Sequence, residues 1–167
     1  LFTANSKTTY ENKLKLVDWV FIATPDQTHF SIVKKIILKK KNIFCEKPLT
    51  LNSKETKFLF NLANKNKIKL YVDNIQSFHN KKIRLSKNNY ITRQKKGQGN
   101  PEYLLYRFAY HDFYLLSKYI KLKDIKLINV KTKKQLLVFR IVLKNDKEFM
   151  IYYDIGSNIR SHFINKV

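Results

Sequence analysis

Residues 17–49, VDWVFIATPDQTHFSIVKKIILKKKNIFCEKPL, constrain the fold most, because their apolar period changes from strand to helix and back within one short span. Residues 17–23 are almost entirely apolar, as a strand covered on both faces requires. Thr24, Pro25, Asp26 and Gln27 then have the form of a helix start. Thr24 is placed as N-cap, Pro25 as the first helical residue, and Gln27 where it can close a capping box. Phe30, Val33, Ile36 and Ile37 follow at helical spacing, with Lys34, Lys35, Lys39 and Lys40 on the other side. Residues 42–45 are a second short strand, ended by Pro48, which has no N–H to give to a ladder. This order predicts an α/β chain with a parallel strand pair. It delivers Glu46 and Lys47 at a carboxyl end, where open parallel sheets bind ligands.

Beyond Pro48 the same logic repeats. Asn52 can cap a helix whose third residue, Glu55, favours the helix dipole. Phe58, Leu59, Leu62 and Ala63 are its expected buried stripe, and residues 68–72 are the next strand. Residues 79–100 are polar and lysine-rich, hold Gly97 and Gly99, and are predicted to be a connection and a loop. The run YRFAYHDFYLL, residues 106–116, leads into a helix expected to bury Phe108, Leu115, Leu116, Tyr119 and Ile120. From residue 125 onward the pattern is β. Strands at 135–143 and 148–154 flank Lys144, Asn145, Asp146 and Lys147, whose Asn and Asp suit a tight hairpin.

The net charge of +22 raises nucleic acid as a partner. The basic residues are nonetheless overwhelmingly lysine, and only Arg84, Arg93, Arg107, Arg140 and Arg160 could act as bidentate base or phosphate readers. A solvated lysine surface is the expected reading, with no nucleic acid partner. Cys45 is the single cysteine, so no internal disulfide forms, no cysteine cluster predicts a metal, and a reducing cytoplasm is the expected setting. No apolar run reaches the length of a membrane span, so no membrane partner is expected.

IATPDQTH followed by FCEKPL resembles the Gfo/Idh/MocA oxidoreductases, whose Rossmann domain carries an ATPxxxH-type turn and a Glu-Lys-Pro motif. The resemblance implies that Lys47 is the active-site lysine that contacts the substrate oxygen. It places Glu46 near the nicotinamide ribose, Thr24 and Pro25 along the bound dinucleotide, and His29 on the helix of that turn. YRFAYHD resembles the family's Asp-x-x-x-His motif, which makes His111 the proton acceptor and Asp112 a neighbour on the substrate side. Arg107 stands where the family commonly has aspartate; a cation there either opposes Lys47 and His111, against the usual catalysis, or pairs with an anionic group of the substrate and alters specificity.

The implied cofactor is NAD or NADP, and the implied substrate a sugar, polyol or sugar nucleotide. The implied organisation is a partial Rossmann-type parallel sheet, residues 1–78, followed by a reduced α+β domain with antiparallel strands, residues 79–167. A homo-oligomer is expected at full length. The family's Gly-x-Gly-x-x-Gly turn has no counterpart, since the only glycines are Gly97, Gly99 and Gly156. An N-terminally truncated fragment is therefore expected, the alternatives being a non-catalytic relative of the same fold and a basic nucleic-acid-binding protein.

Overall fold

The structure, a computed structural model, describes residues 10–74, 84–94, 96, 104–105 and 109–164. The chain divides into two compact units, Leu1–Asn74 and Ile75–Val167.

In the first unit, β1 (Trp19–Ile22), β2 (Asn42–Cys45) and β3 (Leu70–Val72) form a parallel sheet in the order β1-β2-β3. Helices α1 (His29–Leu38) and α2 (Ser53–Lys65) make the two crossovers that parallel strands need. Ile22 lies opposite Cys45, and Cys45 opposite Val72, so the three carboxyl ends finish level along one edge. Ile22, Ile43 and Cys45 pack under Val33, Ile36 and Ile37 of α1 and Leu59 and Ala63 of α2.

Three expectations are corrected here. First, β1 is covered on one face only among the described residues. Trp19 and Phe21 are 45% and 60% exposed. On this open face Trp19 stacks on Tyr71 at 5.8 Å, and Phe21 on Phe44 at 5.4 Å. Second, Thr24 does not cap α1. Pro25 is extended, with ψ of 141°, so helical geometry begins only with a 3₁₀ turn at Asp26–Thr28, and α1 starts at His29. Thr24 instead meets the Thr28 hydroxyl at 2.7 Å, and no side chain caps α1. Third, Phe58 is exposed. It leans on Phe30 across the helix pair and lies under the Lys34 ammonium. Leu59 and Ala63 are the fully buried positions of α2.

The second unit contains α3 (Tyr110–Ser117) and a five-stranded sheet: β4 (Asn88–Gln94), β5 (Ile125–Lys133), β6 (Leu136–Leu143), β7 (Glu148–Asp154) and β8 (Ser161–Ile164). The order is β5-β6-β7-β4-β8, with β4 parallel to β7 and all other pairs antiparallel. The hairpin between β6 and β7 forms where expected, and Asp146 takes the positive φ of 59° that its turn needs. Alternate residues of β6 and β7, Phe139, Ile141, Phe149 and Ile151 among them, form a core with Leu116 of α3.

Strand β4 occupies part of the stretch expected to be a loop. Asn89 hides it from the sequence, because a buried asparagine reads as a turn. Here its amide donates to Ser86 O at 2.9 Å and Glu148 O at 3.0 Å, and its oxygen accepts from Ser86 N at 2.9 Å. Both of its amide hydrogens and its oxygen are thus engaged, by the segment before β4 and by β7. In the helix, Leu115, Leu116 and Ile120 are buried as expected, whereas Tyr119 is exposed and Phe108 lies outside the described residues.

Asn52 is the N-cap of α2, its side chain accepting from Lys54 N at 2.8 Å and Glu55 N at 3.4 Å. Asn52→Ala is expected to cost about 1 kcal/mol in urea unfolding, while Asn52→Asp, an equally good cap, stays within a few tenths, roughly.

Candidate active site

In the first unit the site is built where β1 and β2 end side by side. Glu46 N donates to Ile22 O at 2.8 Å, which carries the parallel ladder one step past both strands. Thr24 and Pro25 leave the end of β1, and Glu46 and Lys47 the end of β2, joined to Pro48 by a cis bond. Lys47 N also donates to the Glu46 carboxylate, at 3.2 Å. Glu46 and Lys47 are both partly buried. Their short spacing from Cys45 fixes the backbone, while their side chains keep access to water.

His29, the first residue of α1, is wholly buried behind this edge. Its Nδ1 lies 2.7 Å from Pro48 O and its Nε2 2.8 Å from Thr24 O. The histidine thus touches the loops after both strands. Cys45 ends β2 beneath Glu46, and burial, followed by the carboxylates of Glu46 and Asp26, pushes its thiol pKa up to about 12. The thiol is inert packing.

The residues present suit one end of a dinucleotide. The Glu46 carboxylate has the acceptor oxygens that vicinal ribose hydroxyls need, and Lys47 carries a cation. No glycine occurs before Gly97, so none of the residues here lets the backbone approach a pyrophosphate as a glycine turn does.

In the second unit, His111 stands in the first turn of α3, partly buried, with its ring edge-on to Tyr110. Asp112 follows it. The resemblance places Asp112 toward substrate, but the structure turns it inward, where it is 1% exposed. Arg93 donates to both of its oxygens, Nη2 at 2.8 Å and Nε at 3.2 Å. His162 Nε2 donates to Oδ1 at 3.0 Å. Asp112 is thereby spent on anchoring α3 to β4 and β8. Arg107 lies outside the described residues.

Burial alone raises the Asp112 pKa, but hydrogen bonds from His162 and Arg93, with their charges, outweigh it and hold the carboxyl below its ordinary range. Burial first, and then Asp112, keeps the Tyr153 phenol protonated well above its usual range. Sequence reasoning missed Arg93 and His162. The one lay in the supposed loop, and the other had no nearby ligand-type residue, so the pairing exists only through the sheet order. Among the described residues no group of three His, Cys, Asp or Glu could hold a metal ion, and no helix is long and apolar enough to cross a membrane.

Residues 2–74 match the model of an oxidoreductase family with an NAD-binding Rossmann fold, Gfo/Idh/MocA. Over almost its whole length, the first unit is similar to the NAD-binding domain of that family. An uncharacterized oxidoreductase of Streptococcus pneumoniae is 33% identical over 64 residues, which are 38% of this chain and 17% of that protein. An oxidoreductase of Formosa agariphila is 31% identical over 71 residues, 42% of this chain and 22% of the relative.

The fold is shared with solved structures across both units. The UDP-N-acetylglucosamine 3-dehydrogenase of Acidithiobacillus ferrooxidans superposes with a TM-score of 0.79 at 17% identity, over 93% of this chain and 56% of that one. An NAD-binding protein of Listeria innocua gives 0.77 at 18%, over 94% and 56%. GenD2 from gentamicin A biosynthesis, solved with NAD, gives 0.78 at 16%, over 95% and 54%. The chain therefore spans just over half the length of these structures. At such identities the likeness establishes a shared fold.

The depressed Asp112 pKa carries a sign. A carboxyl lowered on folding stabilises fully above its unfolded pKa, about 3.9, and that stabilisation is lost as pH falls through the folded value. Asp112→Asn, which leaves the partly buried Arg93 beside a neutral amide, is expected to cost about 1–3 kcal/mol at pH 7. The difference from wild type shrinks as acid unfolding is followed below the unfolded pKa. For Cys45, the folded chain is expected to resist iodoacetamide at pH 8 and to react at the rate of a free thiol only in denaturant, as read by mass spectrometry.

Proposed function

We propose that this chain serves an NAD(P)-dependent oxidoreductase that moves a hydride between the nicotinamide and the hydroxyl or carbonyl carbon of a sugar, polyol or sugar nucleotide. The observation that carries this reading is the placement of Lys47 and Glu46 at the carboxyl end of β2, beside the Thr24-Pro25 turn that ends β1. The match of residues 2–74 to the model of an NAD-binding oxidoreductase family supports it. The sugar-nucleotide dehydrogenase among the structural neighbours supports the substrate class.

In this reading Glu46 accepts hydrogen bonds from the ribose of the nicotinamide half, and Thr24 and Pro25 line the dinucleotide. Bound nicotinamide supplies the hydride chemistry. Lys47 donates to the substrate oxygen and lowers the pKa of its hydroxyl. His111 takes the hydroxyl proton as the alcohol becomes a carbonyl, and returns it in the reverse direction. Arg107 meets an anionic group of the substrate. Asp112 acts indirectly by fixing the start of α3, the helix that carries His111. The full-length protein works as a cytoplasmic homo-oligomer, consistent with an exposed β5 edge that bears Leu127, Ile128 and Val130.

The test is Lys47→Ala in the full-length protein, assayed by nicotinamide absorbance against a panel of sugars and sugar nucleotides. A fall in kcat of about 10²- to 10⁴-fold is expected for loss of a group acting on the transferring proton. Unchanged turnover would instead identify a relative that keeps the fold and performs no chemistry through this lysine.

A further inference from the structure

His29 is a fully buried titratable group to which the proposed reaction gives no task. Its two ring nitrogens face two main-chain carbonyls, Pro48 O at 2.7 Å and Thr24 O at 2.8 Å. These carbonyls belong to different loops. Thr24 leads out of β1 into the turn proposed to line the cofactor, and Pro48 follows Lys47 out of β2. A carbonyl oxygen only accepts, so each contact is a hydrogen bond only when the facing nitrogen carries its hydrogen. The ring meets both loops at hydrogen-bonding distance, whichever nitrogen carries the hydrogen. Burial of the ring adds weight to this pairing, because a ring nitrogen that loses its carbonyl is left unsatisfied.

We infer that His29 is a positioning residue, a clasp that ties the turn after β1 to the loop bearing Lys47 by setting one ring nitrogen against a carbonyl of each. The clasp deepens the proposed function and rests on it, since the loops matter for turnover only if Lys47 and the Thr24-Pro25 turn have the roles assigned above. Its own geometry is independent of that reading. Helix α1 is anchored in the core by Val33, Ile36 and Ile37, so His29 stands on a fixed support and each nitrogen sets the position of one loop. The Nδ1 contact acts on Lys47 through Pro48. The Nε2 contact acts on the cofactor turn through Thr24.

The two contacts can be cut separately. The side-chain amide of asparagine reaches the position of Nδ1, and that of glutamine the position of Nε2. His29→Asn keeps the tie to Pro48 and releases Thr24, whereas His29→Gln keeps Thr24 and releases Pro48. Hydrogen exchange read by mass spectrometry is expected to show at least tenfold faster exchange over residues 46–50 in the glutamine variant. The asparagine variant shows the same acceleration over residues 24–28. In turnover of the full-length protein, the glutamine variant lowers kcat about tenfold with little change in KM for NAD or NADP, and the asparagine variant raises that KM.

Equal loosening of both loops in both variants, or of neither, overturns the clasp and leaves His29 as ordinary packing. If neither variant folds, the wild-type chain decides. With only four histidines, ¹⁵N-labelled imidazole spectra are resolvable, and a slowly exchanging ring N–H proton is expected for His29. A His29 ring N–H that exchanges as fast as that of an exposed imidazole overturns the clasp. Separated exchange effects together with an inert Lys47→Ala would uphold the clasp and sink the catalytic reading.

Discussion

The parallel register of β1 and β2 is the constraint on which the first unit depends. Because Ile22 and Cys45 are paired, the residues that follow them leave the sheet at the same level and within reach of one another. Parallel pairing exists only because α1 crosses over the sheet, and α1 crosses over only because its apolar stripe has β1 and β2 to lie on. Sequence spacing, sheet register and the juxtaposition of Thr24, Glu46 and Lys47 are three expressions of one packing event. Neither the lysine nor the glutamate could be moved by one residue without changing which face of the strand end it leaves from.

The second unit depends on a different device, a buried charge. Asp112 draws Arg93 and His162 from two strands onto the first turn of α3. Removing a carboxylate from water is unfavourable, and the three donated hydrogen bonds offset that penalty. The arrangement gives α3 one defined seat on the sheet, which an apolar contact of the same size would specify less sharply.

The legible parts of the fold were those with local causes. Helix α1 announced itself by apolar period, α2 by its Asn52 cap, and the β6–β7 hairpin by its Asn-Asp turn. Residues 42–45 formed a strand because Pro48 had to end it. The illegible parts had causes distant in sequence. Strand β4 is satisfied by β7 and β8, which lie more than fifty residues further on, and Asn89 looks like a turn residue until Glu148 supplies its partner. Trp19 and Phe21 read as buried because composition reports apolarity and not which face a neighbour covers. The motif around Lys47 was readable as chemistry, whereas the pairing of Asp112 with Arg93 and His162 required the sheet order. His29 fell between the two cases: its place in the turn was readable, and its two carbonyl partners were not.

The open face of the three-stranded sheet has one more consequence. Trp19 is the only tryptophan in the chain, half in water and stacked on Tyr71. An indole in that position is an optical probe built into the sheet. Its emission reports on the polarity above β1, and iodide or acrylamide would quench it as long as solvent reaches that face. Whatever comes to lie on those aromatics, whether another segment, another copy or a different protein, will announce itself as a blue shift and loss of quenching from a single known residue, with no label added.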